Sequence, residues 1–118
     1  MRLPRLLSPQ MHRRVDLVAL PSVIASAVGM SRRNKRAAAL MSMIAAGEGA
    51  ALLTTDYPPG FLRWMSFRDH IWAATMHGIL AASLVLLVPD IPPRDRRVLL
   101  TLAAMPIVLS ALSDTREQ

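Results

Sequence analysis

All three histidines of this chain stand at spacings that could support chemistry. His12 and Asp16 are four residues apart, so on a helix they share one face and can touch. Such a pair can orient an imidazole, bind a metal weakly or relay a proton. The plainer alternative is structural: near a helix start, Asp16 would interact with the N-terminal dipole and with Arg13 or Arg14. His70 and His77 are seven apart and again share a helix face. His70 falls at the mouth of its apolar segment, where water is expected to reach it. His77 lies deeper, beside Gly78, and must face protein or a water pocket. Two imidazoles near a carboxylate are ligand types for a metal or a haem. Their spacing matches no ligand motif, and no metal, haem or other cofactor is expected.

Glu48 is the most informative single side chain. It interrupts an otherwise uncharged run, within Ala46-Gly47-Glu48-Gly49-Ala50. Inside a membrane-crossing helix an ionisable group costs at least about 2.5 kcal/mol at the centre, so it should face the bundle interior, paired or protonated. The flanking glycines allow another backbone or a ligand to approach. Two readings stay open. Glu48 is a proton or cation site, or it is a register-fixing hydrogen-bond partner of His77, Thr75 or a backbone carbonyl. Glu48 and His77 are therefore the candidate intramembrane polar site, and His12 with Asp16 the candidate helix-entry pair. No residue is assigned a catalytic role, and the chain reads as no enzyme.

The elements that must position these residues follow from charge patterning. Residues 17–31, 37–55, 71–89 and 98–113 are almost free of charge, and short, densely charged connectors separate them. A helix crossing lipid cannot leave charges in hydrocarbon, whereas its loops must be wet. A span needs about 20 apolar residues, and the first and last runs hold 15 and 16. The first lengthens if its helix starts near Gln10 and Arg13 and Arg14 reach back to the headgroups. With 53% hydrophobic residues and a mean hydropathy of +0.34, the composition suits a membrane protein better than a soluble helical bundle. The 118 residues have room for a single domain, 1–118. The expected fold is all-α: a four-transmembrane-helix bundle built from two parallel helical-hairpin repeats.

The repeat is read by sliding the chain on itself by 58 residues. Ser8 then falls on Ser66, His12 on His70, Arg36 on Arg94, and Asp56 on Asp114. This gives unit one as residues 8–56 and unit two as residues 66–114, in the same orientation. Pro58-Pro59-Gly60 breaks the chain between the units, while Pro21 and Pro106 fall inside the first and last spans. A cleaved leader ending at Ala25-Ser26-Ala27 is disfavoured, because Asp16 precedes its apolar core and the segment belongs to unit one.

The net charge of +6 raises nucleic acid as a partner, but its placement argues otherwise and none is expected. Arg32, Arg33, Lys35 and Arg36 cluster in one connector, and Arg94, Arg96 and Arg97 in another, where they meet lipid headgroups. Lys and Arg are tied, seven on each side of the expected topology, so charge does not fix orientation. All five aromatics fall between Tyr57 and Trp72, and Tyr57, Trp64 and Trp72 are expected at the membrane interface. The partners expected are the lipid bilayer and a second copy or another membrane protein. With no cysteine, thiol chemistry is excluded.

His12-Arg13-Arg14-Val15-Asp16 opens the first span, Leu52-Leu53-Thr54-Thr55-Asp56-Tyr57 closes the second, and His70 precedes Gly78-Ile79-Leu80-Ala81-Ala82-Ser83. In these stretches the chain resembles the SPW-repeat-like small bacterial membrane proteins, a family of unassigned activity with a duplicated two-helix unit. The Ser-Pro-Trp signature itself is missing, and Ala74 stands where the family often has Asp. The resemblance implies a multi-pass protein of the bacterial inner membrane and brings no mechanism. A structural, assembly or regulatory role is expected, with a small proton-coupled transporter using Glu48 as the alternative.

Overall fold

A computed structural model describes residues 6–55 and 64–113. They form a four-helix bundle: α1 Pro9–Ser31, α2 Lys35–Thr54, α3 Phe67–Leu87 and α4 Pro93–Leu112. Asp56, Tyr57, Phe61 and Asp114 lie outside the described residues. Each helix start has a local cause. Ser8 Oγ accepts from Met11 N–H at 3.2 Å, and Ser66 Oγ accepts from Asp69 N–H at 3.1 Å. Asn34 Oδ1 accepts from Ala37 N–H at 2.8 Å, while α4 opens on proline, whose missing N–H costs nothing there.

Packing is tightest within the hairpins, α1 on α2 and α3 on α4, and α2 also contacts α3 and α4. Val23, Met41, Ile44, Val85 and Leu99 fill the core with buried Ala37, Ala81 and Ala103. The small residues bring backbones close. A Cβ on Gly78 would lie 2.7 Å from Ala103 O and 2.8 Å from Ile107 Cγ1, so this position requires glycine for α3 to sit on α4. The outward faces are also apolar, with Val18, Val28, Leu80, Leu86 and Leu87 exposed. An apolar exterior around an apolar core suits lipid rather than water.

Helices α1, α2 and α3 are long and apolar enough to cross a membrane. Helix α4 has the same length as α2 but opens with Arg94, Asp95, Arg96 and Arg97. These charges serve the connector end of the bundle. Arg33 Nη2 donates to Asp95 Oδ1 at 2.8 Å, and Asp95 is buried. Arg96 donates to the carbonyls of Val85 and Val88, satisfying oxygens at the end of α3. Asn34 Nδ2 donates to Asp90 O at 3.1 Å, and Arg36 pairs with the Asp90 carboxylate at 3.0 Å. Asp90 itself turns the chain with φ of 61°, a conformation that Asp tolerates better than most residues. Both basic connectors thus meet at one end of the bundle.

The opposite end gathers the starts of α1 and α3 and the ends of α2 and α4. Leu7 N–H donates to Leu112 O at 3.0 Å, and Met65 N–H donates to Thr54 O at 3.1 Å. Donors and acceptors of these two bonds are each 58 residues apart.

Candidate functional site

His12 and His70 each sit one turn inside their helix, on α1 and α3, because Ser8 and Ser66 start those helices four residues earlier. Both imidazoles are buried, at 1% and 2% exposure, so the hydrated position expected for His70 is corrected. Its helix start is covered by the ends of the neighbouring helices rather than by water. The rings meet edge to face, with centroids 5.1 Å apart and planes at 86°. Phe67 closes the back of the pair, stacked on His70 at 6.1 Å and edge-on to His12 at 5.3 Å. This aromatic, grouped in the sequence with the interfacial ones, is buried, whereas Trp64 and Trp72 are exposed.

Each ring has a hydroxyl at its Nδ1. The Thr55 hydroxyl lies against Ala51 O and 2.8 Å from His70 Nδ1, so where it donates to the carbonyl it accepts from the ring. The Ser113 hydroxyl stands in the same arrangement, 2.6 Å from Leu109 O and 2.7 Å from His12 Nδ1. With Nδ1 donating to these hydroxyls, a neutral imidazole presents its lone pair at Nε2. These two Nε2 atoms face one another at 3.3 Å. Asp16 Oδ2 lies 3.3 Å from each. Two ring nitrogens and a carboxylate oxygen thus converge, an arrangement suited to holding a positive charge, a proton or a metal ion, between them.

Asp16 thus does more than the helix-entry pairing with His12: it joins His12 to His70 across the bundle. The sequence missed this triangle, together with Thr55 and Ser113. The signal available was the 58-residue match itself, because His12 with His70 and Thr55 with Ser113 are pairs at that offset. Helical spacing on one element, by contrast, pairs His70 with His77.

The triangle opens on a cavity of about 240 Å³ shared by Glu48, His77, Ala74 and Pro106. Glu48 and His77 are therefore brought together with the histidine pair. Glu48 Oε2 and His77 Nε2 are buried and have no hydrogen-bond partner among the described residues. No Glu48–His77 hydrogen bond of the kind the sequence suggested is present. Gly47 packs against the His77 ring so closely that a Cβ would collide with it. The glycine beside Glu48 is what lets α3 present His77 here.

Compared with known proteins, the chain matches no family model, no curated protein and no solved structure.

Proposed function

We propose that this chain is a multi-pass protein of a bacterial inner membrane, built from a duplicated two-helix unit, with no catalytic step of its own. Its working part is the polar end of the bundle, where a cation held between His12, His70 and Asp16 clamps one hairpin to the other. In this reading the protein is a structural, assembly or regulatory membrane component. The observation that carries it is the His12–His70–Asp16 triangle with 3.3 Å edges, drawn from both hairpins and closed by buried hydroxyls at the same offset of 58. The duplication is supported by that offset recurring in caps, backbone bonds and ring contacts. Asp16 is the departure: its mate is Ala74, so a single carboxylate serves two histidines.

Topology is the first test. Both connectors meet at one end, so Arg32→Cys and Arg94→Cys, at exposed positions, should react with an impermeant thiol reagent from one side of the membrane. Trp64→Cys should react from the other side only. Labelling of residues 32 and 64 from a common side would remove the multi-pass reading.

A second reading, a small proton-coupled transporter, is supported by Glu48 Oε2 and His77 Nε2, polar atoms that face one cavity and have no hydrogen-bond partner among the described residues. An unsatisfied buried carboxylate is costly, and membrane helices keep such groups where ions or protons pass.

A further inference from the structure

We propose that the cation at this triangle is a tetrahedral transition-metal ion of the zinc class, bound by His12 Nε2, His70 Nε2 and Asp16 Oδ2. This deepens the clamp reading above and rests on it. The ligand set is the one such an ion takes: two neutral imidazoles and a carboxylate, on three atoms that converge from α1 and α3.

The spacing suits a metal ion. A proton shared between an imidazolium and a carboxylate draws the heavy atoms to about 2.7–2.9 Å. All three edges here are 3.3 Å. Bonds of about 2.0–2.1 Å to a tetrahedral ion place neighbouring ligand atoms about 3.3–3.4 Å apart. Octahedral coordination at similar bond lengths would bring adjacent ligands to about 3.0 Å. The triangle has the tetrahedral edge.

The surroundings are those of a built site. Metal-bound histidines pass their other ring N–H to a fixed acceptor, which sets the tautomer and turns the ring. Thr55 and Ser113 do this for His70 and His12. Both hydroxyls also lie within hydrogen-bond distance of main-chain carbonyls, which can take their hydrogens and leave them as acceptors for the rings. Three protein ligands leave the fourth tetrahedral position to a further group. The cavity beside the triangle supplies room for water or a small anion. Ala74, the residue at the repeat position of Asp16, lines that cavity and offers no ligand.

The test uses the full chain, purified in mild detergent without a polyhistidine tag, stripped with a chelator and then dialysed against Zn²⁺ alone. One zinc per chain should survive gel filtration and raise the thermal midpoint. His12→Gln and His70→Gln should each lose more than 100-fold in zinc affinity. Thr55→Val and Ser113→Ala keep all three ligands and should weaken zinc by about 10- to 100-fold. Those two variants keep the question answerable where a histidine variant fails to fold. Cobalt in the same site should show the intense visible absorption of a tetrahedral ion. Folded wild-type protein that retains no zinc, or affinity unchanged in the histidine variants, overturns the proposal. No zinc together with fully protonated His12 and His70 rings would leave a proton clamp standing. No zinc together with neutral rings protonated on Nε2 would remove the clamp as well.

Discussion

His12→Leu and His70→Leu should each cost about 3–5 kcal/mol of stability, because either one leaves the other members of a buried polar cluster without their counterpart. His70 loses most visibly: its ring touches Phe67 and His12 and links Thr55 to Asp16. The triple variant His12→Leu/His70→Leu/Asp16→Leu should recover most of that loss. Replacing a whole buried ionic cluster by apolar residues of similar size is often neutral, since no group is left desolvated and unpaired. In a bundle lying in lipid, three leucines at one end add no misplaced polarity. Unfolding in mixed detergent, followed by helicity, measures both steps. Losses that simply add across the three substitutions would mean the side chains act independently and the cluster is no unit.

Glu48→Leu should raise stability by about 1–3 kcal/mol, the opposite sign to a usual core substitution. One carboxylate oxygen of Glu48 is buried and makes no hydrogen bond among the described residues, so its desolvation is not offset there. Glu48 lies six residues before the end of α2, about 9 Å into the bundle at the α-helical rise. Removing such a group stabilises the fold, and keeping it argues for use, as the stability–activity trade-off predicts. A destabilised Glu48→Leu variant would show that the carboxylate holds the helices together. If the chain moves protons, reconstituted vesicles should show proton-driven efflux that disappears in Glu48→Gln. A clamp without transport gives no efflux in either form.

The helices were legible in the sequence because lipid imposes long uncharged runs and charged connectors. Expected runs of 37–55 and 71–89 correspond closely to α2, Lys35–Thr54, and α3, Phe67–Leu87. The first helix does extend back past Arg13 and Arg14, to Pro9. At α4 the pattern was less informative. Arg94 to Arg97 look like connector, yet they lie within the helix, where Asp95 is neutralised by Arg33 and Arg96 is absorbed by carbonyls of α3. Site residues were legible one by one and not as a set. Helical spacing pairs His12 with Asp16 and His70 with His77, because such rules see one helix at a time. The His12–His70 contact depends on which faces of α1 and α3 turn inward at the same height, which is a tertiary fact. Thr55 and Ser113 carry no signal in composition, since a hydroxyl at a helix end normally bonds its own backbone. Here each does so and accepts from a histidine as well.

The central claim is a state of four ring nitrogens, and nitrogen NMR of histidine-labelled protein reads it directly. With only three histidines in the chain, His77→Gln leaves the two signals of interest. Both rings should carry hydrogen on Nδ1, held by Thr55 and Ser113, with Nε2 bearing no hydrogen in the zinc-loaded protein. Either ring found neutral with its hydrogen on Nε2 and a bare Nδ1 would contradict the account, because the triangle would then contain its own donor and need no cation.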